Sequence, residues 1–109
     1  MKKFLAIYRM DMAAMKDMMT KSTPEDRAKG TQEWKDWMTA NAAHFADMGG
    51  PIGKNTSLSS AGAQDMSNDI GGYSVVQAES KEAAIELLKT NPHFSMPGST
   101  IDIAEVVSM

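Results

Sequence analysis

There is no cysteine among the 109 residues of this chain. That absence removes disulfides, thiolate zinc sites and cysteine nucleophiles, and it suits a cytoplasmic setting. Histidine is nearly as scarce, with two copies and no HxH or HExxH spacing, so no metal site is expected. Neither sign of charge dominates: 11 basic and 14 acidic residues are mixed along the chain for a net charge of -3. With no basic stripe to displace counterions from phosphates, nucleic acid is not an expected partner. Long apolar runs are missing too. Phe4 to Tyr8 lies between Lys2-Lys3 and Arg9, far short of the ~18 apolar residues of a membrane span and below the roughly 7–15 of a signal peptide.

What is present describes a globular chain. A hydrophobic fraction of 42% argues against disorder, and the length fits one domain over residues 1–109. A domain this small buries only about 60% of its unfolded surface and gains stability by associating.

The local pattern predicts six main elements. Residues 3–9 read as a strand. Residues 10–19 (MDMAAMKDMM) suit a helix, with Met12, Met15 and Met19 on one face. Thr23 is a good N-cap, followed by Pro24, Glu25 and Asp26, and Trp34, Met38 and Phe45 form a stripe. This second run is expected to stay helical to Met48, where Gly49-Gly50-Pro51 would end it. A strand is predicted over 52–59, a polar connection over 60–69, and a strand over Ile70–Ala78 whose Gly71-Gly72 marks a bulge or a close backbone approach. Ser80 caps a further helix that stops at Asn91-Pro92, and a last strand spans 99–107 with a bulge near Val106.

Taken with the Met-rich segment as an appendage, the order is βαββαβ. This predicts an α+β, ferredoxin-like domain, with a four-stranded sheet and its helices on one face. The other face is then left for a second copy of the chain, so a homodimer is expected.

Four segments carry a family resemblance: KKFLAIYR, MGGPIG, DIGGYSVVQAESKEAAIELLKTNPHF and STIDIAEV. In this order and spacing they resemble the YCII-related family. The resemblance implies a dimeric α+β barrel, in which two four-stranded sheets pack together, without choosing a reaction. Some members carry a His–Asp pair proposed as an acid–base dyad. Asp47 falls where the aspartate would lie, but the histidine position is Met38, and the Asp-Gly-Pro-Phe motif of another branch is absent.

The candidate chemistry is short. His93, after Pro92, is a possible acid–base group, with the carbonyls of the helix end as its structural alternative. His44 and Asp47 are three apart and would share a helix face with Trp37 as a ligand-binding wall. Tyr8 and Arg9 end the first strand, where a phenol and a guanidinium would hold an anionic or phenolic ligand; an ion pair of Arg9 with Asp11 or Asp102 is the alternative. One of Trp34 and Trp37 belongs to the core. The 11 methionines admit a soft-metal reading, but a lid, core or interface role for the segment 10–19 needs only their adaptable packing. No cofactor is expected. The function class is thus a dimeric binder, or minor-pathway enzyme, for a compact and partly apolar anion, with a non-catalytic dimerisation module as the alternative.

Overall fold

The computed structural model describes residues 1–66, 68–96 and 98–107. Strand β1 (Lys2–Arg9) has the alternation a half-covered strand requires: Phe4, Ala6 and Tyr8 are buried, while Leu5 and Ile7 between them are half-buried. It lies at the centre of an antiparallel sheet with β5 (Ile70–Ala78) on one side and β6 (Thr100–Val106) on the other. Strand β2 (Phe45–Pro51) pairs with the far side of β5, giving the order β2-β5-β1-β6. This is the ferredoxin-like arrangement in an α+β chain.

Three helices accompany the sheet. Helix α1 (Met12–Lys21) is capped by Asp11, whose carboxylate accepts from the Ala13 and Ala14 amides, and it buries none of its residues. Helix α2 (Pro24–Ala40) opens with a reciprocal capping box between Thr23 and Asp26. The Thr23 amide bonded to Asp26 holds that carboxyl below its usual range. Helix α3 (Lys81–Leu88) starts at Ser80, whose hydroxyl accepts from the Ala83 amide. Trp37 of α2 and Ala84 and Leu88 of α3 cover Phe4, Ala6, Val76 and Phe45 to make one core.

Two sequence expectations change. The second helix stops at Ala40, eight residues before Met48. Asn41 ends it by turning its side-chain amide back to the Trp37 carbonyl, and a short 3-10 turn (Ala42–His44) leads into β2. Phe45 therefore sits on the edge strand opposite Val76, where it meets the Trp37 ring edge-on. The sheet's second strand is consequently 45–51, not 52–59. The segment beyond it forms a separate hairpin of β3 (Asn55–Ser59) and β4 (Gly62–Met66), so the expected polar connection contains a strand. The hairpin is exposed at nearly every position.

The glycines of 49–50 serve the strand and not a helix end. Gly49 has φ +68 at a register shift, and a Cβ there would lie 1.9 Å from the Tyr73 carbonyl oxygen. Gly50 has an ordinary backbone and open space around it. The bulge lies at Gly71, within the glycine pair where the sequence placed one: Tyr8 and Arg9 stand against Gly72 and Ile70, leaving Gly71 as the extra residue, while the pairing of β6 runs without a shift to Val106. Among the described residues no helix is long and apolar enough to cross a membrane.

Two outcomes follow for stability. Gly49→Ala is expected to cost about 3 kcal/mol or more, from backbone strain and the carbonyl clash, whereas Gly50→Ala stays within about 0.5 kcal/mol. Leu88→Ala, at a fully buried site, is expected to cost about 3 kcal/mol. Urea melts of the three variants check both.

Candidate functional site

The sheet and α2 do not close completely on one another. Where β1, β2 and β5 meet the middle of α2, a cavity of about 490 Å³ remains. One wall follows from the helical spacing of α2, and the ends of three strands supply most of the rest. Tyr8 comes from the end of β1, and Thr31, Trp34 and Met38 from successive turns of one α2 face. Met48, Gly49, Gly50 and Pro51 come from β2, Gly71, Gly72 and Tyr73 from β5, and Met10, His93 and Met96 from the connecting segments. Among the described residues no Lys, Arg, Asp or Glu lines it.

Three rings form its most ordered part. Tyr8 meets Trp34 edge-on at a centroid distance of 5.2 Å and His93 at 5.5 Å, and Trp34 and His93 are 6.4 Å apart. The Tyr8 hydroxyl shares a 2.6 Å hydrogen bond with the buried Ser74 hydroxyl on β5. Burial pushes the Tyr8 phenol above its usual range, and the nearby Ser74 and Asn91 side chains offset this only in part.

His93 is 1% exposed. Asn91 starts the 3-10 turn that carries it (Pro92–Ser95), its side-chain oxygen accepting from the His93 amide at 2.7 Å. On the ring, Nε2 lies 2.7 Å from the Arg9 carbonyl oxygen and 3.1 Å from that of Thr100. Carbonyls only accept, so Nε2 carries the proton and donates to both.

The other expected residues lie elsewhere. Arg9 is paired with Asp69 and Asp102, the second of these anticipated, and the pairing raises its already high pKa. It does not line the cavity. Trp37 belongs to the core, its indole N–H donating to the Thr90 hydroxyl at 2.8 Å, so of the two tryptophans it is Trp34 that faces the cavity. Asp47 is exposed on β2, where it accepts from the Gly49 amide, and His44 is exposed in the turn before that strand. The helix surface expected to unite them ends before both. The structure thus brings Tyr8 and His93 together and leaves Arg9, Trp37, His44 and Asp47 outside the lining.

Met48 and Met96 are wall residues that the sequence pattern did not single out, whereas Met38 shared the apolar stripe with Trp34 and Met10 opens the Met-rich segment for which a lid was one expected role. Segment 10–19 divides: Met10 lies against Gly71, while Met12, Met15 and Met19 border a shallow groove on α1. Among the described residues there is no cluster of three His, Asp or Glu able to hold a metal.

No family model and no curated protein sequence matches the chain. Among solved structures, the chain is similar in fold to 5-chloro-2-hydroxyhydroquinone dehydrochlorinase from Burkholderia phenoliruptrix AC1100, in complex with 2,5-dihydroxybenzoquinone. The TM-score is 0.54 at 12% identity, over 92% of this chain and 90% of that one. At that identity the likeness establishes the α+β fold.

Tyr8→Phe is expected to cost about 1–2 kcal/mol, because it leaves the Ser74 hydroxyl buried without its partner. The raised phenol pKa also has a sign. A folded value above the unfolded one near 10 means that the contribution is complete below pH 10 and declines as pH rises toward the folded value. Alkaline denaturation followed from pH 8 upward is expected to show this decline in the native protein and less of it in Tyr8→Phe.

Proposed function

We propose that this is a homodimeric, cytoplasmic small-molecule-binding protein, or a minor-pathway enzyme, of YCII-like kind. One observation carries the reading: an apolar cavity of about 490 Å³ bordered by the Tyr8 phenol and the His93 imidazole. Ligand sites have this composition, mostly apolar walls with few convergent polar groups. The dehydrochlorinase of similar fold, in complex with the compact ring of 2,5-dihydroxybenzoquinone, supports a ligand of that size.

The family's acid–base dyad does not carry over intact. Met38, at the histidine position, is in the cavity wall, whereas Asp47 is exposed outside it. A thioether transfers no proton, so any proton transfer in this chain would fall to His93 or Tyr8. The ionic part of the expected ligand also loses its support, because Arg9 is already paired with two carboxylates.

Dimerisation rests on the second face of the sheet. Leu5, Ile7, Tyr73 and Val75 form its half-buried centre, opposite the face that α2 and α3 cover. Such a patch is the usual mark of an association surface. The alternative, a non-catalytic dimerisation module, is favoured by one feature: both partners of His93 Nε2 are backbone carbonyls.

The discriminating experiment is a thermal-shift screen of small carboxylates, phenols, haem and divalent metals on the native protein and on Thr31→Trp. The substitution extends a large side chain from an exposed helix position that borders the cavity. A ligand at a hundred times its Kd adds about 2.7 kcal/mol, so a shift is expected for the native protein and its loss in the variant. No shift with any compound would favour the module. For the dimer, sedimentation is expected to show two copies for the native chain and one for Val75→Lys.

A further inference from the structure

The same cavity also specifies which end of a hydrogen bond its ligand must supply; this inference rests on the binding reading above. Nε2 of His93 donates to the carbonyls of Arg9 and Thr100, so the neutral tautomer that this geometry selects is the one with its lone pair on Nδ1. Among the described residues Nδ1 has no hydrogen-bond partner, and the buried side-chain nitrogen or oxygen without one is Asn91 Nδ2. Nδ1 is therefore not sealed in protein, and the open space that the ring borders is the cavity. A lone pair facing an apolar cavity calls for a donor from the ligand.

Two further features narrow the class. The lining has no charged side chain, and an ion entering it would lose its hydration with no counter-charge. Tyr8, Trp34 and His93 stand mutually edge-to-face at 5.2 to 6.4 Å, which suits the faces and edges of another ring. Methionines such as Met10 and Met38 favour ring contacts through sulfur while adapting to different outlines.

We infer that the cavity binds a neutral, planar aromatic alcohol, held as a hydrogen-bond donor to Nδ1 of His93 and stacked among Tyr8, Trp34 and the methionines. A phenol meets every requirement; an aryl carboxylate fails on charge, and an aryl ether fails on the missing proton.

The test compares naphthol, its methyl ether and naphthoate by calorimetry on the full chain, with Thr31→Trp as the variant that fills the site. Naphthol is expected to bind at least tenfold more tightly than the ether, with naphthoate weaker still and all binding lost in Thr31→Trp. Nitrogen NMR of native protein supplies a readout that needs no His93 variant to fold. The Nδ1 resonance is expected to move with naphthol and stay in place with the ether. Equal affinity for naphthol and ether, or tightest binding of naphthoate, would overturn the inference while leaving a small-molecule site in the cavity. Undiminished naphthol binding in Thr31→Trp, or binding of none of the three compounds, would overturn it together with the cavity reading.

Discussion

One buried imidazole holds the functional end of this molecule together. His93 Nε2–H is shared between the carbonyls of Arg9 and Thr100, which face each other across β1 and β6. A single ring thereby ties the turn after α3 to the last pairing of two strands. Its other contacts follow from that position. Tyr8 is one residue back along β1, so its ring meets the imidazole edge-on, and its hydroxyl reaches Ser74 on β5. Trp34 completes the group from α2. Removing the imidazole would leave two strand-end carbonyls without this donor and the Tyr8 ring without a neighbour, so packing and site are one unit.

The same strand ends keep opposite chemistry apart. On one face, Tyr8 and His93 border an uncharged cavity. On the other, the Arg9 guanidinium is held by Asp69 and Asp102, one from the segment entering β5 and one from β6. These exposed pairs add little to stability, because water screens them. They do commit the charge of Arg9 away from the cavity, which is why an apolar ligand suits it better than an anion.

Much of this was legible in the sequence. The alternation of Phe4, Ala6 and Tyr8, the Thr23-Pro24 start of α2, the Ser80 cap and the Asn91-Pro92 stop each act within a few residues, and each places its element correctly. The failures share a cause. Phe45 continued the spacing of Trp34 and Met38, and Gly49-Gly50-Pro51 looks like a helix end. Both signals are local, whereas the strand 45–51 is fixed by pairing with β5, some 25 residues on. Losing that boundary displaced His44 and Asp47 from a helix that does not reach them. The sequence pattern put Trp34 in the apolar stripe and Trp37 in the ligand wall; the packing of Trp37 on Phe45 and Thr90 reverses the two, with Trp37 in the core and Trp34 at the cavity. The methionine wall was legible only in Met10, from the Met-rich segment, and Met38, from the apolar stripe; Met48 and Met96 come from separate segments that carry no such pattern.

The account depends most directly on the protonation pattern of His93 in the unliganded protein, and nitrogen-detected NMR of the imidazole at neutral pH measures it. A neutral ring with its proton on Nε2, slow to exchange with solvent, is the expected result, leaving Nδ1 as the acceptor in the cavity. A proton on Nδ1 with a bare Nε2 would contradict the account. It would break the link to Arg9 and Thr100 and remove the lone pair on which the site is built.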